Sequence, residues 1–491
     1  MPNGTDLRTF YYGTGTPTQY QIPTTAKTAK PTAGSLYLND QYTKGSSVTN
    51  LTPESQVALV TSTAADTISA TTTSSTASNG NGSGGTLTAA YGLKVFAPTT
   101  QSATPSLQLN SGNDSISATA LLSPSTTVAG SSKVTYFYLT GLDNSGSIYG
   151  GTFNGTTQST NTGNDSVTGT GTYRGIANQQ DAVLSLGDGD DKVTGTAGAT
   201  NIVGSAAVYN AGTMDLGVSS GTITDNDTLT ATGSYSGLYN TGSLGFGNGT
   251  DTLTAKAGTL FEQQTGLYNT GLISFDAGND TLTSSGYTAV YNDGTIGFGT
   301  GSDKLTASGT YFGIVNDVDA VITFGNNGTT TPVAARSITA SGAISGLKNN
   351  GMIFFEGIGN DTVTVSKGGI TGDIDPDTDL PYGRIFLGNG NDKLVGFGTG
   401  VFDGGDGTDS FTLPSNTAYS GIYKAVEIDN VTNNYFVLTG TQNVTGIGYF
   451  TSFNTYQNNV TIPTVALGQE FYLTISASGA PTVSLLPADW V

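Results

Sequence analysis

The nonapeptide GGDGTDSFT (404–412) has the residue types and the spacing of a calcium-binding loop. It fits the pattern G-G-x-G-x-D-x-U-x, in which U is a hydrophobic residue. Its glycines allow a sharp turn, its carbonyls and aspartate provide hard oxygen ligands, and Phe411 would face a core. The related stretch LGNGNDKLV (387–395) precedes it, and Asp392 and Asp409 lie 17 residues apart. This spacing predicts two stacked loops with a Ca²⁺ site between them.

Two segments provide the ligands that these residue types predict. In the pair of stacked loops they are Gly388, Asn389, Gly390, Asn391, Asp392, Gly404, Gly405, Asp406, Gly407 and Asp409. In GDIDPDTDLP (372–381) they are Asp373, Asp375 and Asp377, at every second position. That segment lacks the glycine at position 6 and the glutamate at position 12 of an EF-hand loop, so we expect at most a loose Ca²⁺ site there.

The composition excludes several classes of active site. The chain has no cysteine and no histidine, so it has no thiol nucleophile, no Ser-His-Asp triad and no zinc finger. Its 36 acidic and 16 basic residues give a net charge of −20, which disfavours nucleic acid and favours cations. No stretch approaches the ~20 apolar residues of a transmembrane helix. The N-terminus lacks the basic and apolar regions of a cleaved secretory signal, and we expect none.

An aspartate and an asparagine recur together along the chain. The repeated aspartates are Asp114, Asp165, Asp191, Asp227, Asp251, Asp280, Asp303, Asp361, Asp392 and Asp409. The repeated asparagines are Asn210, Asn240, Asn269, Asn292, Asn316 and Asn349. In one repeat, AARSITA (334–340), Arg336 replaces the aspartate. A period of 20 to 50 residues is typical of a solenoid.

The repeat predicts short parallel strands. DTLTA, DTLTS and DKLTA alternate polar and apolar residues, so Leu253, Leu282 and Leu305 would face one way. Glycine and asparagine corners would join such strands into coils, with leucine above leucine and asparagines bonded between coils. We therefore predict an all-β parallel β-solenoid, similar to a β-helix or β-roll. At about 4.8 Å per coil, roughly ten coils would form a rod about 50 Å long.

The loops at 387–412 resemble those of the RTX family, the hemolysin-type calcium-binding repeat proteins. SLGDGDDKVTG (185–195) is similar, and the resemblance implies Ca²⁺ ligands at Asp188, Asp190 and Asp191. Most other repeats depart from the family pattern, with one Gly-x-Gly-x-Asp-like loop in a longer coil. They are more similar to RTX-like bacterial surface proteins than to the toxins. The resemblance implies a secreted, extracellular protein that folds on binding Ca²⁺ and is exported by a type I system.

Three regions follow from the repeat. Residues 1–108 are rich in threonine and serine and form a predicted N-terminal β region for assembly or capping. Residues 109–413 carry the repeat and form the solenoid. Residues 414–491 lose the period and are predicted to be a C-terminal β region that serves as a cap or assembly joint. This last region would also hold the type I secretion signal.

Even spacing of the acidic residues favours a structural role over catalysis. We predict a structural protein and not an enzyme. Its copies would self-associate into a filament or a surface layer (S-layer), with Ca²⁺ bound at the corners of the coils. Cell-surface polysaccharide is a further predicted partner. One alternative is an adhesin or an ice-binding solenoid, because paired threonines such as Thr252 and Thr254 would face outward. Another is a carbohydrate-active β-helix enzyme, which needs carboxylates gathered in one groove.

Overall fold

The computed structural model describes residues 107–109, 112–122, 137–150, 163–198, 202–217, 224–325, 335–413 and 446–456, and elsewhere only the strands named below. Every regular element in this part is a β-strand, which confirms the all-β prediction. No helix among the described residues is long and apolar enough to span a membrane. Contacts divide the chain into two compact units, Met1–Gly258 and Thr259–Val491.

A typical coil contains three short strands, which form three faces of a solenoid. Face 1 follows the repeated aspartate, face 2 ends at the repeated asparagine, and face 3 leads towards the next aspartate. After Asp227 these strands are Thr228–Gly233, Ser236–Asn240 and Ser243–Gly245. Each one pairs in parallel with the equivalent strand of the preceding coil, so the predicted parallel β-solenoid is confirmed.

Unit 1 stacks these strands from its N-terminal region onwards. Face 1 contains Ser35–Leu38, Thr67–Ser74, Ser115–Leu122, Ser166–Gly171, Lys192–Ala197, Thr228–Gly233 and Thr252–Lys256. Face 2 contains Thr88–Val95, Phe137–Asn144, Arg174–Asn178, Ala206–Asn210 and Ser236–Asn240. Face 3 contains Thr28–Ala29, Ala58–Val60, Leu107–Leu109, Ser147–Gly150, Val183–Ser185, Thr213–Asp215 and Ser243–Gly245. Arg8–Tyr12 and Thr18–Ile22 form an antiparallel pair. Parallel pairing on face 1 therefore includes strands upstream of residue 109.

Unit 2 has three faces of the same kind. Thr281–Asn292 and Lys304–Asn316 each run through faces 1 and 2. Face 1 continues with Ser337–Ser341, Thr362–Lys367, Lys393–Val395, Asp409–Thr412 and Phe453–Tyr456. Face 2 also contains Thr265–Asn269, Ser345–Asn349 and Ile370–Thr371. Face 3 contains Leu272–Ser274, Thr295–Phe298, Val321–Phe324, Met352–Phe355, Arg384–Phe386, Gly400–Asp403 and Ile447–Thr451.

The last part of unit 2 is mainly antiparallel. Its strands are Tyr419–Glu427, Asn434–Gly440, Val460–Thr461, Glu470–Ile475 and Pro481–Leu485. They pair with one another or with the last coil in antiparallel register. Residues 486–491, where we predict the end of a secretion signal, lie outside the described residues. The region limits predicted at residues 108 and 413 stay predictions.

Identical residues stack in the core of unit 2. Leu282 pairs with Leu305 in face 1, and both are fully buried, as the alternating pattern predicts. On face 3, the rings of Phe275, Phe298, Phe324 and Phe355 stack with centroids 4.9, 4.5 and 4.6 Å apart. These distances match the spacing of paired strands, so each coil continues the column below it.

Buried asparagines close the corner between faces 2 and 3. In unit 1, the Asn178 amide donates to Asn210 Oδ1 at 2.8 Å and to the Thr213 carbonyl at 2.8 Å. In unit 2, the Asn292 amide donates to Asn316 Oδ1 at 2.9 Å. The predicted asparagine ladder is therefore present in both units. It satisfies the buried polar groups of this corner without any charge.

Candidate cation-binding corners

The repeated aspartates form an inner ladder at the corner before face 1. The backbone N–H of Asp191 donates to Asp227 Oδ1 at 2.8 Å, and that of Asp392 donates to Asp409 Oδ1 at 2.8 Å. The same bond links 165 to 191, 227 to 251, 280 to 303 and 361 to 392. One oxygen of each acceptor aspartate therefore satisfies a buried backbone donor of the preceding coil.

An outer ladder runs beside the inner one, in the opposite direction. The Thr250 N–H donates to Asn226 Oδ1 at 2.9 Å, and the Asn226 N–H donates to Asp190 Oδ1 at 2.8 Å. In unit 2 the Ser302 N–H bonds Asn279 Oδ1, and the Thr408 N–H bonds Asn391 Oδ1. The hydrogen bonds of the two ladders join neighbouring coils in opposite directions. The corner therefore has a structural role even without an ion.

In the acceptor aspartates of the inner ladder, Oδ1 accepts a backbone bond, but that bond does not explain the burial of the second oxygen, Oδ2. The Oδ2 atom is buried without a hydrogen-bond partner in Asp191, Asp227, Asp303 and Asp392. Burial raises the pKa of Asp191 to about 10 and that of Asp227 to about 9. It also raises the pKa of Asp303 and of Asp392 to about 7. Neighbouring carboxylates add to these shifts, so these corners favour either protonation or a bound cation.

Arg336 shows what a cation does at this corner. It takes the aspartate position of its coil, as the sequence predicts, and is fully buried. Its Nε donates to Asp361 Oδ1 at 3.0 Å and its Nη2 to Asp361 Oδ2 at 2.6 Å. Its Nη1 donates to the carbonyls of Phe324 and Glu356. Both oxygens of Asp361 are thereby bonded, and the corner contains its own positive charge.

The loops with the strongest calcium motif do stack. Asn389–Gly390 and Asp406–Gly407 pair in parallel, and Lys393 is in register with Ser410. Asp392 and Asp409 are buried on consecutive coils, whereas Asp406 is exposed. Burial raises the pKa of Asp409 to about 6. The geometry thus brings together the two predicted aspartates, and the ligand set of Gly388–Asp392 and Gly404–Asp409 stays a prediction.

The aspartates of the 372–381 loop are bonded within the protein. Asp373 pairs with Lys348 at 3.1 Å and accepts a bond from the Asn350 amide. Asp375 accepts bonds from the Asp377 N–H at 3.0 Å and from Thr378 Oγ1 at 2.9 Å. The Asp377 N–H holds the pKa of Asp375 below its usual value. These bonds account for the loop as a local turn, and its Ca²⁺ ligands stay a prediction.

A third loop places extra carboxylates beside the inner ladder. Asp188 lies three residues before Asp191 and is buried, whereas Asp190 is exposed and belongs to the outer ladder. The structure also buries Asp225, two residues before Asp227, in the next coil. Asp225 is not among the ligands predicted from the sequence. It could have been found from the sequence, because the other coils with a ladder aspartate have glycine two residues before it, where this coil has Asp225.

Among the described residues, no three acidic side chains converge in the manner of a metal site. A cation at these corners would therefore also need carbonyl oxygens or water, which Ca²⁺ accepts readily. Comparison with known protein families, curated proteins and solved structures finds no match for the chain. The RTX resemblance of the loops stays a prediction.

Proposed function

We propose that the protein is an extracellular structural protein whose copies assemble into a filament or surface layer, with Ca²⁺ bound at Gly/Asp-rich corners. The observation that carries the proposal is an apolar corner of unit 2, between faces 1 and 2. It consists of Leu260, Phe261, Tyr287, Tyr311 and Ile344. Leu260 is 81% exposed, Phe261 52% and Ile344 56%. Contiguous exposed apolar groups of this kind mark contact surfaces.

Strand register aligns this corner along the coils. Thr265 pairs with Thr288, so Tyr287 follows the end of the 259–264 loop in the next coil. The Tyr287 and Tyr311 rings stack with centroids 4.2 Å apart. The loop is ordered by Gln264, whose Oε1 accepts bonds from the N–H groups of Leu260 and Phe261. The corner is therefore a regular, preorganised strip.

A second copy of the chain is the partner that fits this strip best. With a net charge of −20, two copies repel each other over most of their surfaces. The residues of the apolar corner are uncharged, and the 259–264 loop contains a single acidic residue, Glu262, so repulsion is weakest there. Ca²⁺ at the aspartate corners would lower the remaining repulsion. Export by a type I system rests on the RTX resemblance alone, and attachment to cell-surface polysaccharide stays a prediction.

Electron microscopy of the purified chain, in about 5 mM Ca²⁺ and in EGTA, tests the proposal. We expect filaments or sheets in Ca²⁺ that dissolve in EGTA. The double variant Phe261→Glu, Ile344→Glu should remain dispersed. The matched control is Val318→Glu, which adds a charge at an exposed apolar residue of another corner and should assemble normally. Dispersed wild-type molecules in both solutions would contradict the proposal.

One observation favours a second function, that of an adhesin or an ice-binding module. Outward-facing threonines of face 1 stack in register in unit 1. The column contains Thr168, Thr194, Thr230 and Thr254, and lysine does not interrupt it. The control is a chain in which Thr194 and Thr230 are replaced by lysine. An ice-binding role is supported if the wild type shows thermal hysteresis of freezing and this variant does not.

A further inference from the structure

Asp188 and Asp225 are two carboxylates that the ladders do not need. Neither belongs to the inner ladder, which runs through Asp191 and Asp227 at this point. Neither belongs to the outer ladder, which runs through Asp190 and Asn226. Even so, Asp188 is only 2% exposed and Asp225 only 3%. The chain buries two further acids in consecutive coils where the repeat requires none.

The position of Asp225 makes its side chain conspicuous. Two residues before the ladder aspartate, the other described coils have Gly112, Gly163, Gly189, Gly249, Gly278, Gly301, Gly359, Gly390 and Gly407. A Cβ at Gly301 would lie 1.3 Å from the Gly278 carbonyl oxygen, and one at Gly407 would lie 1.5 Å from that of Gly390. Coils at this position are normally too close for a side chain. Asp225 is the exception among the coils whose ladder residue is an aspartate, and its side chain is buried in the corner.

The two side chains present oxygens without partners. Both oxygens of Asp188 and Oδ1 of Asp225 are buried and form no hydrogen bond. The remaining oxygen, Asp225 Oδ2, accepts one bond of 3.2 Å from the N–H of Gly189, the residue that follows Asp188. In the described part of the chain, no lysine or arginine forms an ion pair with either carboxylate. Three buried oxygens thus lack any compensating donor or charge.

The chemistry of this corner suits a divalent cation. The bond to the Gly189 N–H places the Asp225 carboxylate next to the Asp188 peptide. Burial raises the pKa of Asp225 to about 6, and the charges of Asp188 and Asp190 contribute. Two carboxylates balance one divalent ion, and backbone carbonyls or water can complete its shell. Ca²⁺ accepts mixed, irregular oxygen ligands of this kind, whereas Mg²⁺ demands a regular octahedron.

We propose that Asp188, a ligand predicted from the sequence, and Asp225, which was not predicted, form a Ca²⁺ site between two coils of unit 1. The site shares with the proposed function the premise that corners bind Ca²⁺, but it does not require assembly. The strongest candidate for a Ca²⁺ site is then the corner formed by Asp188 and Asp225 and not the 387–412 loops. Asp225, outside the ligands predicted from the sequence, becomes one of its two carboxylate ligands.

Isothermal titration of the full chain with CaCl₂, after removal of metal by EGTA, tests this site. Three variants are compared with the wild type: Asp188→Asn, Asp225→Gly and the control Asp293→Asn. Asp225→Gly restores the residue of the other coils, so it removes the ligand and keeps the fold. The control removes one negative charge from an exposed aspartate of unit 2. We expect Asp188→Asn and Asp225→Gly to lose one bound Ca²⁺ per chain, or to weaken it at least tenfold, and the control to match the wild type. Unchanged stoichiometry and affinity in both variants would overturn the site.

A second measurement uses the wild-type chain alone. A crystal grown with Ca²⁺ should show anomalous density at about 2.3–2.6 Å from oxygens of Asp188 and Asp225. A Ca²⁺-saturated crystal without that density would also overturn the site. The outcomes separate this site from the proposed function. A chain that binds Ca²⁺ here but stays monomeric keeps the site and loses the assembly proposal. If the chain assembles but Asp188→Asn and Asp225→Gly bind Ca²⁺ as the wild type does, the assembly proposal stands and the site is overturned.

Discussion

Two corners of the same type, one in each unit, both bury carboxylates but differ in the charge that faces them. At the Arg336 corner of unit 2, a guanidinium bonds both oxygens of Asp361. At the Asp188–Asp225 corner of unit 1, three carboxylate oxygens are buried without a partner. The first corner has its cation from the chain, and we propose that the second takes one from solution. The first corner should be independent of Ca²⁺, and the second should depend on it.

The largest effect is expected from Arg336→Met. The change leaves Asp361 buried without its partner, and we expect a loss of about 3–5 kcal/mol in the free energy of unfolding. Chemical denaturation at pH 7.4 measures it. The control is Arg384→Met, because Arg384 is only half-buried and lies in register with Met352 and Val401. Equal stabilities of the two variants would show that the Arg336 pair is not what stabilises its corner.

Asn316→Ala sharpens the comparison with a corner that has no charge. The Asn316 amide donates to Asn349 Oδ1 at 2.9 Å and accepts a bond from Asn292, all buried. Its removal leaves buried partners unsatisfied, at a cost of about 2–3 kcal/mol. We expect the same loss at pH 5 and pH 8 and with or without Ca²⁺. A loss that varies with Ca²⁺ would contradict the separation between charged and neutral corners.

Asp303→Asn tests the charge itself through pH. Burial raises the pKa of Asp303 from 3.8 to about 7, so the folded state binds a proton more tightly than the unfolded state does. The stability from this group is therefore present below pH 4 and declines as the pH rises towards 7. Asparagine keeps the oxygen that the Asp280 N–H needs and has no charge. In EGTA we expect Asp303→Asn to be about 1–2 kcal/mol more stable than wild type at pH 8 and nearly equal to it at pH 4. A destabilised variant at pH 8 would reverse the sign.

The smallest effect is expected in the outer ladder. Asn279 accepts a bond from the Ser302 N–H at 2.8 Å, but the bond is exposed and water can replace it. Asn279→Ala should therefore cost less than about 1 kcal/mol. Thermal unfolding beside Asn316→Ala gives the contrast directly. A loss as large as that of Asn316→Ala would mean that both ladders stabilise the coils equally.

Much of the fold follows from the sequence because one set of contacts repeats. The 11-residue interval from Asn269 to Asp280 and from Asn292 to Asp303 predicts the coil. The alternation around Leu282 and Leu305 predicts the buried face. Arg336 is visible as a substitution because it interrupts a regular series.

The partners across coils could not be predicted in the same way. Bonded ladder aspartates are separated by 17 residues at one step and by 36 at another, since insertions lengthen some coils. The sequence alone does not show that Arg336 bonds Asp361 in the following coil. Burial of Asp188 and Asp225 also depends on how two coils stack. The sequence motif therefore predicts a Ca²⁺ site at 387–412, and only the structure shows the unpartnered oxygens of Asp188 and Asp225.

The most direct test of the account is the dependence of stability on Ca²⁺. Thermal unfolding of the full chain would be followed at pH 7.4 in EGTA and in about 5 mM Ca²⁺, for wild type, Asp225→Gly and Arg336→Met. We predict that Ca²⁺ raises the Tm of the wild type and of Arg336→Met. We predict a clearly smaller rise for Asp225→Gly. Identical melting curves of the wild type in EGTA and in Ca²⁺ would contradict the claim that the carboxylate corners take a cation from solution.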